Sequence, residues 1–191
     1  MTNRYYEANK HTNDLYEAKV TRIITDYFKG SVEATKNDCP KMDTDFHTDV
    51  IIKDNKGNFF SIDIKMQKKI RRYDEKPATD VTWVELFNRR GDTGWCVPQN
   101  KNITRLGWKV DMENDCVCQE CEDMYLIVPR WRLHYATLKM IIGKQLQNMG
   151  ANPVCYQPYH ASDGKGGWHK DVIVLMPVHI LRTLATYEIK K

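Results

Sequence analysis

His47–Gln67 reads HTDVIIKDNKGNFFSIDIKMQ, and two runs of period two meet in it across a turn. Val50 and Ile52 alternate with Asp49, Ile51 and Lys53, while Phe60, Ile62 and Ile64 alternate with Ser61, Asp63 and Lys65. Such alternation marks strands with one face on a core. Between the runs, Asp54-Asn55-Lys56-Gly57-Asn58 is a turn signal: a three-residue loop with Gly57 in the left-handed position closes a β-hairpin. Counting outward from Lys56, Asp49 falls opposite Asp63 on one face of the sheet, with Cβ atoms about 5 Å apart. Lys65 and Gln67 share that face. Val50, Ile52, Ile62 and Ile64 make the other face apolar, which fixes the register. Two opposed carboxylates destabilise a sheet unless a cation lies between them, so the pair points to chemistry.

Working outward, residues 14–29 read as an amphipathic helix with Leu15, Val20, Ile23, Ile24, Tyr27 and Phe28 on one broad face, stopped by Gly30. Residues 33–46 read as a loop or a short second helical turn. Val81–Phe87 is a third strand, Gly94–Val97 starts a fourth, and Ile103–Val110 is a further candidate. Tyr125–Val128 and Val172–Met176 each read as a buried strand whose following proline, Pro129 or Pro177, opens a helix. Residues 152–167 read as a long loop. The expectation is an α/β (α+β) fold in one domain over residues 1–191: a central mixed β-sheet flanked by helices, with a hairpin-borne site and a cysteine loop at 112–123.

The 191 residues, 41% hydrophobic and 28% charged, lie in the globular range and outside disordered, collagenous and membrane compositions. No apolar run approaches the roughly 18 residues of a membrane span, and Met1–Lys10 lacks the apolar stretch of a signal peptide. A cytoplasmic protein without a membrane partner is expected. The net charge of +4 permits an anionic partner without demanding one. Lys65, Lys68, Lys69, Arg71, Arg72 and Lys76 continue the hairpin as a basic run, suited to a phosphate backbone or simply to a solvated loop. Six cysteines in a reducing compartment point away from disulfides. Cys116, Cys118 and Cys121 lie within six residues, and with Cys96, Cys155 or a histidine as a fourth ligand they suggest structural Zn²⁺. Free thiols on a surface loop are the competing reading.

Two carboxylates and a lysine at a hairpin end suit a hard divalent cation and a phosphodiester. Asp49, followed after thirteen intervening residues by Asp63-Ile64-Lys65, resembles the Asp…(Asp/Glu)-x-Lys motif of the PD-(D/E)XK nuclease superfamily. The resemblance runs from about Leu15 to Arg132, with Thr48 where a proline often stands and Asp where the second acid is commonly Glu. It implies a restriction-endonuclease-like fold and a Mg²⁺- or Mn²⁺-dependent endonuclease acting on DNA, often a homodimer. It also implies Asp49 and Asp63 as metal ligands and Lys65 orienting the water. Glu17 would be the first-helix glutamate, and Gln67 the polar residue some members carry beyond the lysine. Restriction enzymes, junction resolvases and phage or repair nucleases are all among its small members. Glu17 has a second reading, as a capping-box residue three positions after Asp14. Two rival functions remain: an inactive nuclease-fold module gripping nucleic acid or a protein through Lys68–Arg72 and the cysteine loop, and a zinc-dependent interaction protein.

Overall fold

The computed structural model describes residues 2–69, 75–87, 94–99, 104–142, 157–162 and 168–191. Its elements are α1 (Thr2–Phe28), β1 (Ser31–Thr35), α2 (Lys41–Phe46), β2 (Val50–Lys53), β3 (Phe59–Lys65), β4 (Val81–Phe87), β5 (Asp115–Glu120), β6 (Met124–Pro129), α3 (Arg130–Ile141), β7 (Gln157–Ser162), β8 (Trp168–Pro177), α4 (Val178–Leu184) and β9 (Tyr187–Lys190). A six-stranded mixed sheet runs β1-β2-β3-β5-β6-β9, and a three-stranded sheet runs β4-β8-β7. All neighbours are antiparallel except β3 and β5, which run parallel.

The hairpin forms as its sequence requires. Val50 faces Ile62 and Ile52 faces Phe60, Gly57 has φ 88°, and the Asp54 carboxylate accepts the Lys56 and Asn58 N–H groups. Period two then sorts the side chains. Val50, Ile52, Phe60, Ile62 and Ile64 join Cys116, Cys118, Tyr125 and Ile127 in a core against Val20, Ile24 and Phe28 of α1. Val117, Leu126 and Val128 point the other way, onto Leu133 of α3, Leu181 of α4 and Val84, Leu86, Val174 and Met176 of the small sheet. Met42 and Phe46 of α2 cover Ala34 and Ile51 near the β1 edge. The large sheet thus lies between α1 and a layer of two helices and a second sheet.

Several expectations need correction. α1 starts twelve residues before Asp14, and it ends on left-handed Lys29 rather than on Gly30. Gly30 serves a close approach instead, since a Cβ there would stand 2.2 Å from the Lys53 carbonyl oxygen. Residues 33–46 hold the end of β1 as well as the short helix; a bulge between Val32 and Ala34 breaks the alternation that would have shown it. Gly94–Val97 is a turn, closed by the Val97 N–H donating to the Gly94 carbonyl at 3.2 Å. Within Ile103–Val110 the described residues form a 3₁₀ turn, Thr104–Leu106, and irregular chain. Half of the expected cysteine loop is β5, in which Cys116 and Cys118 act as small apolar residues. β7 lies inside the supposed loop 152–167, and β9 was not anticipated.

Ile62 is fully buried in the α1 core, so Ile62→Ala should cost about 2–5 kcal/mol by the cavity it leaves. Urea unfolding checks this, and Tm should drop by roughly 2–4 °C per kcal/mol lost.

Candidate active site

The β2–β3 ladder stops one residue short of the expected aspartate pair. Val50–Ile62 is its last pair, and the Asp49 N–H donates to the Ile62 carbonyl at 3.0 Å. The Asp49 carboxylate then takes the place of a main-chain acceptor: Oδ2 receives the Ile64 N–H at 2.7 Å. The two aspartates stand just past that last pair and take different ion-pair partners, although Lys65 acts electrostatically on both.

Asp49 belongs with α1 and β1. Its Oδ1 lies 2.9 Å from Lys36 Nζ, and the same ammonium lies 2.6 Å from Glu17 Oε2. The Lys36 N–H also donates to the Asp49 carbonyl at 2.8 Å, one step beyond the Thr35–Val50 pair. Glu17 lies deep inside α1, far from any helix start, so the capping-box reading falls.

Asp63 lies on the face of the sheet away from α1. Its Oδ1 is 2.7 Å from Lys65 Nζ, and its Oδ2 is 3.4 Å from Arg130 Nη1. Lys65 Nζ also sits 5.3 Å from the centroid of the Trp95 ring. Arg130, the first residue of α3, is completely buried and donates Nε–H to Asp115 Oδ1 at 2.8 Å. It also donates to the backbone carbonyls of Trp95 and His47. His47 is held at φ 48° as the C-cap of α2.

These seven groups are unbalanced. Glu17, Asp49, Asp63 and Asp115 face Lys36, Lys65 and Arg130, so one negative charge is left over when all are ionised. Burial, and then the charge of Asp63, holds the Asp49 carboxyl above its ordinary value; burial and then Asp49 do the same to Glu17. For Lys36, burial works against the charge and the two carboxylates outweigh it. Lys65 is likewise raised, with Asp63 and Asp49 outweighing burial. Both lysines therefore stay protonated at neutral pH. A cleft of about 360 Å³ opens beside α1, and its charged lining is acidic: Asp14, Glu17, Asp26 and Asp49 against Arg22 and Lys36.

The other expected site residues fall elsewhere. Gln67 is turned to a structural task, its side chain donating to the Ala78 carbonyl at 2.6 Å and its N–H to Glu120 Oε2 at 3.1 Å. Lys68 and Lys69 are exposed, with Lys68 Nζ 5.2 Å from the centroid of the Trp83 ring. Arg71 and Arg72 lie outside the described residues. The expected zinc ligands are not brought together. Cys116 and Cys118 lie in the α1 core, whereas Cys96 and Cys121 lie in the core on the opposite face. Burial pushes all four thiols up, Cys121 to about 11 and Cys96 to about 12, away from the thiolate that ligates zinc. Among the described residues, no group of three or more His, Cys, Asp or Glu stands ready around a metal position.

The sequence reading missed Lys36, Arg130 and Asp115. Lys36 becomes visible once β1 is paired with β2, because Thr35 opposite Val50 sets Lys36 beside Asp49. Arg130 leaves only a weak trace, a charged residue directly after the apolar run that ends at Pro129. No family model, no curated protein and no solved structure matches this chain.

Because Asp49 and Glu17 titrate above their ordinary values, their contribution to stability is greatest when they are protonated. It declines as pH rises out of the ordinary carboxylate range through the raised values. Asn at position 49 can still accept the Ile64 N–H while removing the crowded charge. Asp49→Asn should therefore leave the metal-free Tm at pH 7 equal to or above that of wild type and flatten its decline between pH 4 and pH 7. Thermal scans across that range decide it; a drop of several degrees at pH 7 would make Asp49 a plain structural ion-pair partner.

Proposed function

We propose that this chain is a divalent-metal-dependent nuclease that hydrolyses phosphodiester bonds in DNA, built on a restriction-endonuclease-like fold. The observation that carries the proposal is the surplus of carboxylate charge where β2 and β3 part, with Glu17 and Asp49 both raised by crowding and burial. Clefts in which carboxyl groups are perturbed by burial and by one another are where metal and acid–base chemistry concentrates. The order of elements supports the same reading: a helix carrying Glu17, a strand carrying Lys36 at its end, then a hairpin carrying Asp49 and Asp63-Ile64-Lys65.

The donor set fits Mg²⁺ or Mn²⁺, which favour hard carboxylate oxygens and keep several positions for water and phosphate. Asp49 and Asp63 would hold the ion, with Glu17 as an auxiliary ligand once Lys36 swings aside. When bound, the ion supplies an acidified water and neutralises charge developing on the phosphate. The chain's own groups do the rest. Lys65, kept protonated by Asp63 and Asp49, orients the attacking water and binds a phosphate oxygen rather than serving as the base. Lys68 and Lys69 extend a positive surface beyond it for the DNA backbone. On this reading the protein works in the cytoplasm, and it acts as a homodimer where both strands are cut.

One observation favours a second reading, an inactive module of the same fold that binds nucleic acid or a protein partner. Both oxygens of Asp49 and both of Asp63 already have partners, in Lys36, the Ile64 N–H, Lys65 and Arg130.

Cleavage of supercoiled, linear, single-stranded and branched DNA separates the two. With Mg²⁺ or Mn²⁺ the wild type should cut at least one of these, and EDTA should stop it. Asp63→Ala and Lys65→Met should each lower the rate by about 10²–10⁴-fold. A folded wild type that cuts none of them, with either metal, leaves the binding module.

A further inference from the structure

Arg130 offers more than its ion pairs suggest. A fully buried arginine is rare unless its donors are all used, and here the fork reaches four separate segments. Nε–H goes to Asp115 on β5, Nη1 to Asp63 on β3 and to the Trp95 carbonyl, and Nη2 to the His47 carbonyl, two residues before Asp49. Asp115 is itself fixed by the Gln99 N–H at 2.6 Å from its Oδ2. Pro129 closes β6 and leads directly into the first turn of α3, which sets where the guanidinium starts. Only a planar group with five donors in fixed directions can serve these acceptors at once.

We propose that Arg130 is a positioning residue of the nuclease site. It holds Asp63 through Oδ2, leaving Oδ1 toward Lys65, and it anchors the chain at His47, two residues before Asp49, so that one guanidinium restrains both segments that carry the aspartates. It touches neither metal nor substrate. The inference rests on the nuclease reading above. It adds that the metal affinity of the site is set from beneath the sheet, by a residue that begins a helix in the opposite layer. Partners that orient metal ligands typically cost 10–100-fold in affinity or activity when they are lost.

The test uses Mn²⁺ alone as the probe, by isothermal titration of the full chain, together with steady-state cleavage of whichever DNA the wild type cuts. Arg130→Lys keeps the charge but loses the fork. It should weaken Mn²⁺ binding by about 10–100-fold and lower kcat, with KM for DNA close to wild type. Leu181→Ala is the control: Leu181 is buried in the same apolar core as Leu133 of α3, and its side chain has no polar group to offer Arg130, so it should lower Tm while leaving Mn²⁺ affinity unchanged. If Arg130→Lys does not fold, Asp115→Asn takes its place. Losing that carboxylate throws more of the guanidinium's attraction onto Asp63, so Mn²⁺ affinity should again fall. A folded Arg130→Lys, or failing that a folded Asp115→Asn, with wild-type affinity and kcat would overturn the positioning role while leaving the nuclease standing, and so would an equal loss in Leu181→Ala. A wild type that neither binds Mn²⁺ nor cuts DNA would overturn both.

Discussion

Where β2 and β3 part, a main-chain N–H, that of Ile64, is served by the Asp49 carboxylate instead of by a neighbouring strand. A buried amide must have an acceptor, so an aspartate at this point satisfies the sheet and at the same time delivers a charge to its interior. Everything around it answers that charge. Lys36 approaches from the end of β1, Glu17 from α1, and Asp63 raises the cost from the next strand. An asparagine would serve the amide equally well and bring no charge, so the carboxylate asks for an explanation that hydrogen bonding does not give.

The two halves of the cluster use different electrostatic solutions. On the Asp63 side the pairing is dense and buried, with Arg130 shared between two carboxylates and two carbonyls; such pairs add little net stability over apolar packing but are costly to break singly. On the Asp49 side one ammonium serves two carboxylates at the wall of an acidic cleft.

Much of this was legible in the residues. Period-two alternation gave the hairpin and its register, Gly57 the turn, and the prolines at 129 and 177 the strand-to-helix junctions. What escaped had specific causes. The bulge between Val32 and Ala34 hid β1, and with it Lys36. The bond from the Ile64 N–H to the Asp49 carboxylate escaped because the ladder ends one residue earlier than symmetry suggests. The cysteine cluster misled because spacing along the chain ignores the pleat: Cys116 and Cys118 point to one core and Cys121 to the other. Arg130 meets Asp63 across 67 residues and His47 across 83, distances over which no local pattern carries information.

Those separations also divide the site by range of contact. Glu17, Lys36 and Asp49 come together through one helix, one short strand and one hairpin, contacts that close over short loops and form early. The clamp on Asp63 depends on β5 lying parallel beside β3 and on α3 following β6, contacts of long sequence separation, a class that is intrinsically slow to form. The acidic cleft is thus built from nearer contacts than the guanidinium's hold on Asp63. On the nuclease reading proposed above, holding an ion between the two aspartates would call on the long-range half of the site as well as the local one.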